Sequence, residues 1–204
     1  MKVLLINGSP HVAGNTFTAL NHMVETFRSE GIEAEILHIG TRAVQGCIGC
    51  FSCAEMGECA FGDPLYKMFE AKIRECDALV VGSPVYYAGP NGSLCALLDR
   101  LFFASGRHLQ YKPAAAIAVC RRGGATATLD RLNKYFTINN MPVVSSQYWN
   151  MAHGRTPGEV TEDGEGMQTL RTLARNMAWL MRKIAADGTP TPTPEERIAT
   201  NFIR

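Results

Sequence analysis

Four cysteines within thirteen residues are the most specific chemical signal in the chain: Cys47, Cys50, Cys53 and Cys59. Glycines at positions 46, 49 and 57 supply turns between them. Three thiolates at two-residue spacings in one loop can surround one face of an iron–sulfur cubane, and a fourth downstream can close it. The spacing favours a 4Fe–4S cluster over zinc, because structural zinc usually takes two separated cysteine pairs. Thiols without a metal are the remaining alternative.

The other three cysteines, Cys76, Cys95 and Cys120, fall in or beside predicted core elements. Buried cysteine behaves as a small apolar side chain. We therefore interpret these three as packing residues.

A polar loop follows the first predicted strand and opens a helix, with donors at Ser9, Asn15 and Thr16. A helix N-terminus with unpaired amides suits a phosphate group. The loop has neither GK[ST] nor G-x-G-x-x-G, and no acidic residue ends the second strand. These absences disfavour nucleotide triphosphates and dinucleotides. The loop fits a phosphate monoester such as that of FMN; an ordinary polar turn with a helix cap is the alternative.

Two further loops follow the third and fourth predicted strands. The first contains Pro84, Val85, Tyr86 and Tyr87, and the second contains Arg121, Gly123 and Gly124. Aromatic rings offer faces or edges to a flat ligand. Glycine amides beside arginine would stabilise negative charge on the pyrimidine side of a reduced isoalloxazine. Packing tyrosines and a solvated turn are the alternatives.

Strand-like and helix-like segments alternate along the chain. The predicted strands are residues 2–7, 33–39, 78–81, 114–120 and 142–148, and the predicted helices are residues 16–30, 63–75, 91–103, 125–138 and 166–186. Nearly continuous apolar strands that alternate with helices predict an α/β fold, a three-layer doubly wound parallel five-stranded sheet. By analogy we expect the flavodoxin-like strand order 2-1-3-4-5, with ligands at the carboxyl ends of the strands.

The chain divides into one flavodoxin-like domain and a tail. The predicted domain spans residues 1–186 and includes a cysteine-rich loop at 46–62. The tail, 187–204, carries alternate prolines that favour an extended path. Its apolar residues are Ile198, Phe202 and Ile203, and we expect them to tie it down as a clasp across a subunit interface.

Composition excludes several classes of function. The 204 residues contain 20 Lys+Arg and 19 Asp+Glu, which argues against binding of nucleic acid or a membrane surface through bulk charge. No apolar run is long enough to span a bilayer. The N-terminus opens as a strand rather than a signal peptide, so we expect a cytoplasmic protein.

The sequence resembles the iron–sulfur flavoproteins, within the flavodoxin-like NAD(P)H-dependent FMN reductases. The resemblance rests on GSPxxxGNT at 8–16, the four-cysteine motif at 47–59, GSPVYY at 82–87, RRGG at 121–124 and GEGMQT at 164–169. It implies FMN, a 4Fe–4S cluster, and a homodimer or tetramer. The implied phosphate loop comprises Ser9, His11, Asn15 and Thr16; the implied isoalloxazine loop is 84–87, with Gly123 and Gly124 at the pyrimidine edge. His11 stands where relatives usually carry Arg or Lys.

The resulting hypothesis is an FMN-dependent oxidoreductase that couples two-electron flavin chemistry to one-electron transfer through the cluster. NAD(P)H or ferredoxin is the expected donor, and a small molecule or protein the acceptor. One alternative is an NAD(P)H-dependent FMN or quinone reductase without a working cluster, and another is a non-catalytic electron carrier. His153 and Trp149 are interpreted as loop and packing residues.

Overall fold

The computed structural model describes residues 1–196, 198, 200 and 202. The strands are β1 (Lys2–Asn7), β2 (Glu33–His38), β3 (Ala78–Tyr86), β4 (Gly89–Pro90), β5 (Ala114–Cys120) and β6 (Met151–His153). The helices are α1 (Asn15–Ser29), α2 (Cys53–Met56), α3 (Pro64–Glu75), α4 (Gly92–Ser105), α5 (Ala125–Thr137) and α6 (Gly164–Asp187). Two 3₁₀ turns lie at Gly106–His108 and Glu159–Glu162.

Five parallel strands form the sheet in the order β2-β1-β3-β5-β6, and the two-residue β4 pairs antiparallel to β3. Successive β1 residues face opposite sides: Leu4 and Ile6 pack with α3, α4 and α5, whereas Val3 and Leu5 pack with α1 and α6. The predicted α/β fold, with helices on both faces of a parallel sheet, is confirmed. The strand β4 was not expected.

The predicted last strand at 142–148 is wrong. Val143 makes a single bridge to Ala114, and the chain then leaves the sheet. The Ser146 hydroxyl lies 2.6 Å from the Tyr148 carbonyl oxygen and 2.8 Å from the Asn150 side-chain oxygen, and the two acceptors share its one proton. Such local hydrogen bonds compete with a strand ladder. Parallel pairing with β5 resumes only at β6.

The cysteine-rich segment, residues 46–62, lies between β2 and α3 and contains the short helix α2. Helix α2 was not expected, because the segment's glycines and cysteines predicted irregular structure. The predicted start of α3 is confirmed: Asp63 caps it by accepting the Tyr66 amide at 3.0 Å, and Pro64 is its first residue.

Helix α6 ends at Asp187, and residues 189–196 have no regular secondary structure. Ile198 and Phe202 are 95% and 91% exposed, whereas Ile203 lies outside the described residues. Over the described part of the chain, we find no helix with the length and apolar character needed to cross a membrane.

Candidate functional site

A cavity of about 710 Å³ opens at the carboxyl edge of the sheet. It is lined by residues 9–16 after β1, 84–86 in β3, 119–121 at the end of β5, and 154, 155 and 157 after β6. The structure therefore brings the three loops singled out in the sequence to one place. A fourth loop, after β6, joins them.

The loop after β1 is held rigidly by its own polar groups. The Ser9 amide donates to the Asn7 side chain at 3.1 Å, and the His11 amide donates to the Ser9 hydroxyl at 3.1 Å. The first amides of any helix lack an intrahelical partner, and here Gly14 precedes α1 and provides no side-chain cap for them. Within residues 1–196 the Thr16 hydroxyl makes no hydrogen bond to protein, although Thr16 is only 3% exposed and lines the cavity. This end of the cavity is rich in free donors.

Asn15 connects α1 to the loop after β6. Its side-chain amide nitrogen donates to the Thr156 carbonyl at 2.9 Å, and its side-chain oxygen accepts a hydrogen bond from the Val160 backbone amide at 3.3 Å. The approach is close: a Cβ on Gly154 would lie 2.9 Å from the Asn15 amide nitrogen and 2.7 Å from the Val160 amide. Asn15 is therefore placed to hold the loop after β6 in position.

Arg155 is a residue that the sequence reasoning missed. It lines the cavity beside the loop after β1, and its amide donates to Glu159 at 2.6 Å. Because the last strand was expected at 142–148, residues 154–157 were not expected at a strand end. Arg121 and Arg155 both line the cavity, so it has two permanent cations, although the loop after β1 contributes only His11.

Asp163 anchors the loop after β6 through hydrogen bonds. Its carboxylate accepts the His153 amide at 2.7 Å and the Gly166 amide at 2.9 Å, and the His153 ring lies 3.1 Å away. Burial alone would raise the pKa of Asp163, but these hydrogen bonds outweigh it and hold the pKa below its ordinary value. His153 is thus occupied with Asp163, and Trp149 is exposed in the loop that precedes β6.

The loop after β3 forms a tight hairpin over the end of β5. Tyr87 and Ala88 adopt φ of 49° and 58°, typical of the turn that joins two antiparallel strands. Gly124, with φ of 89°, packs beneath it: a Cβ there would lie 2.7 Å from the Ala88 Cα and 2.9 Å from Val85. Both the backbone conformation and the close approach require glycine at position 124.

Not every predicted residue lines the cavity. The ones that do are Ser9, His11, Asn15, Thr16, Pro84, Val85, Tyr86 and Arg121. Tyr87, Gly123 and Gly124 are outside its lining. Tyr87 is fully exposed, and Gly124 contributes by supporting the hairpin.

The four clustered cysteines line a second, smaller cavity together with Arg100 and Phe103 of α4. All four are free thiols. Burial raises the pKa of the Cys53 thiol, and the neighbouring Cys50, Cys47 and Cys59 raise it further. Within the described residues, however, no three His, Cys, Asp or Glu side chains are grouped so that they could hold a metal ion. The four thiols line the same cavity, but they are not grouped closely enough to ligate one metal ion.

The backbone of the cysteine segment turns sharply. Gly49, Phe51 and Gly57 have φ of 66°, 59° and 73°, in the left-handed region that strongly favours glycine. The Phe51 ring meets the Phe103 ring edge-on at 5.8 Å between centroids, which helps to hold this conformation.

The comparisons with known proteins agree with this geometry. The model of the NADPH-dependent FMN reductase family matches residues 1–156. An iron–sulfur flavoprotein of Archaeoglobus fulgidus is 40% identical over 190 residues, covering 90% of this chain and 92% of that protein. An iron–sulfur flavoprotein of Methanocaldococcus jannaschii is 33% identical over 192 residues, covering 90% and 99%. RosB, solved with bound 8-demethyl-8-formylriboflavin-5′-phosphate, has a similar fold: TM-score 0.70 at 18% identity, covering 100% of this chain and 94% of that one. The chain therefore belongs to the NADPH-dependent FMN reductase family, among its iron–sulfur flavoproteins, and is a flavin-dependent oxidoreductase.

Proposed function

We propose that the cavity at the carboxyl edge of the sheet binds FMN, with its phosphate at the start of α1. The observation that carries this proposal is the convergence of four strand-end loops on one cavity of about 710 Å³, a volume in the usual range of cofactor sites. The free Thr16 hydroxyl and the first amides of α1 would donate to the phosphate. Arg155 would supply positive charge.

The remaining cavity residues would orient the ring system. Val85 and Tyr86 offer apolar surface on one side, and Arg121 lies at the end of β5. When bound, FMN supplies the two-electron chemistry, and the protein contributes orientation and electrostatics. We propose NAD(P)H as donor from the family, with ferredoxin as an alternative donor and a small molecule or protein as acceptor. We also propose a homodimer or tetramer in the cytoplasm.

We propose further that Cys47, Cys50, Cys53 and Cys59 hold a 4Fe–4S cluster that exchanges single electrons. Two observations support this: all four thiols line one cavity, and the relatives named above are iron–sulfur flavoproteins. Four thiolates are the usual ligand set of such a cluster. The segment would have to tighten around it, as metal binding commonly orders its ligand loops.

A second candidate is an NAD(P)H-dependent FMN or quinone reductase without a working cluster. It is favoured by the absence, in the described residues, of three side chains grouped closely enough for a metal. In that case the cysteine segment would be structural.

Anaerobic purification with FMN, iron and sulfide analysis, followed by NADPH oxidation with an artificial acceptor, tests both candidates. We expect one FMN and about four iron atoms per chain, and NADPH-dependent turnover. FMN and turnover without iron or sulfide, even after anaerobic reconstitution, would select the cluster-free reductase. A protein that binds no flavin would contradict both.

A further inference from the structure

Arg100 is a buried cation directed at the cysteine segment. It lies in α4, and its side chain has no exposed surface. Its guanidinium donates to the Cys59 sulfur at 3.4 Å, to the Gln45 carbonyl at 3.2 Å and to the Phe61 carbonyl, and it forms a salt bridge with the Asp63 carboxylate at 2.7 Å. One side chain therefore holds the segment from residue 45 to residue 63.

Cys59 is fixed by a second buried group. Its amide donates to the Tyr66 hydroxyl at 3.2 Å. The Tyr66 hydroxyl is 3.1 Å from the Ser105 hydroxyl, which in turn donates to the Glu70 carboxylate at 2.7 Å. The Arg100 guanidinium also lies 4.8 Å from the centre of the Tyr66 ring. Backbone and sulfur of Cys59 are thus both anchored in the core.

Among the described residues, no buried charged group supports the other three cysteines in this way; Cys50 has hydrogen bonds only from the neighbouring Ser52 and its own backbone. Cys47 and Cys50 are exposed, and Cys53 is half-buried like Cys59, so the difference lies in the contacts and not in burial. Among the hydrogen bonds of the described residues, Arg100 is the one charged donor to a cysteine sulfur. The asymmetry singles out Cys59.

We propose that Arg100 is a positioning residue for the cluster: it holds Cys59 as the prearranged ligand and raises the reduction potential of the cluster. This inference rests on the proposed function of the cysteine segment. Hydrogen bonds to the sulfurs, net charge and solvent exposure are the protein's means of setting cluster potentials. Arg100 is paired with the partly exposed Asp63, but its Nε–H donates to the Cys59 sulfur itself, and a charged donor at a cluster sulfur favours the more negative, reduced form.

The first experiment compares the midpoint potential of the cluster in anaerobically reconstituted holoprotein, by EPR-monitored titration. The variants are Arg100→Gln and Arg100→Lys, with Arg107→Gln as the matched control. Arg107 is exposed and donates to the Gly57 carbonyl at 3.2 Å, so its loss removes the same charge beside the same segment without touching sulfur.

At a fixed potential, Arg100→Gln should lower the ratio of reduced to oxidised cluster at least tenfold, a shift of about 59 mV for a one-electron couple. Arg100→Lys keeps the charge and should shift less, and Arg107→Gln should leave the ratio within twofold of wild type. An unchanged potential in Arg100→Gln would overturn the inference, as would an equal shift in Arg107→Gln. If Arg100→Gln does not fold, a wild-type potential in Arg100→Lys together with wild-type exchange of the segment overturns it.

The second experiment measures hydrogen–deuterium exchange of residues 45–63 in the cluster-free protein. We expect exchange at least tenfold faster than in wild type for Arg100→Gln and Arg100→Lys, and a wild-type exchange rate for Arg107→Gln. Unchanged exchange in both Arg100 variants contradicts the positioning role. Failure of the proposed function would look different. If the wild-type protein takes up no iron or sulfide, both the proposed cluster and the role of Arg100 toward it are contradicted. If the wild-type protein holds the cluster and the Arg100 variants behave like wild type, only this inference is contradicted.

Discussion

Thr16 lines the cavity, and its hydroxyl makes no hydrogen bond among residues 1–196, so its removal should act on ligand binding more than on folding. Thr16→Val preserves shape and should weaken FMN binding by about 1.5–3 kcal/mol, the usual net contribution of a hydrogen bond to a charged group. This corresponds to roughly a 10- to 150-fold higher Kd. Flavin-fluorescence titration of the apoprotein measures it.

Thr18→Val is the matched control for that experiment. Thr18 lies on the same helix, but its hydroxyl donates to the Gly14 carbonyl at 3.4 Å and it does not line the cavity. Its replacement should leave the FMN Kd nearly unchanged. Equal weakening by the two variants would show that the effect comes from α1 as a whole and not from a phosphate contact.

Cys50 belongs to the cysteine segment and lies away from the flavin cavity. Arg100, which borders the cysteines, is eight residues after Gly92 in α4, about 12 Å along the helix from the end that follows β3. Cys50→Ser should therefore abolish iron absorbance and leave FMN bound at wild-type stoichiometry. Cys95→Ser, outside the segment, should retain both. Loss of flavin together with iron in Cys50→Ser would show that the sites are coupled.

Among the elements, the start of α6 carries a pH-dependent contribution to stability. Asp163 caps α6 and holds β6, and its pKa lies below the ordinary value in the folded state. Its contribution is therefore complete above the unfolded pKa of about 3.9 and is lost as the pH falls through the lower folded pKa. Asp163→Ala should cost about 1–2 kcal/mol at pH 7.

Asp163→Asn separates the cap from the charge. Asparagine caps about as well as aspartate, so stability at pH 7 should fall less than in the alanine variant. Because asparagine does not titrate, the acid loss of unfolding free energy below about pH 4 should be shallower than in wild type. Urea unfolding across pH 2.5–7 checks this, and parallel curves for wild type and Asp163→Asn would contradict it.

Sequence periodicity predicted most of the elements, because long apolar strands and amphipathic helices carry their own signal. It failed where local hydrogen bonds or contacts with distant residues determine the path of the backbone. The loop after Val143 is shaped by the Ser146 hydrogen bonds, and β6 is defined by its register against β5. The β4 hairpin places Tyr87 and Ala88 at positive φ, with no glycine between the strands to indicate it.

The same failure explains what was missed at the site. Residues in the loops after β1, β3 and β5 were predictable, because strand ends and glycine turns mark them. Arg155 was not, since its loop follows a strand that periodicity misplaced. The bonds of Asn15 to Thr156 and Val160 span more than 140 residues, a separation at which a single sequence gives no pairing signal.

At the level of the whole molecule, the described part of the C-terminal tail has no regular secondary structure and exposes apolar side chains. Ile198 and Phe202 are almost fully exposed, which disfavours a purely intramolecular role. We expect deletion of residues 188–204 to weaken a homo-oligomer while each subunit stays folded. Sedimentation at micromolar concentration, with circular dichroism as the folding control, tests this. An unaltered oligomer mass would contradict the expected clasp across the subunit interface.

Recognition of a phosphate monoester at the start of α1 is the central feature of the proposed function. The direct test is the ratio of riboflavin to FMN dissociation constants for the apoprotein, since the two flavins differ only in that phosphate. Several charge-assisted contacts predict FMN binding on the order of 100-fold tighter or more. Arg155→Gln should reduce that ratio without changing riboflavin affinity. Equal affinities of the wild-type protein for FMN and riboflavin would contradict the account.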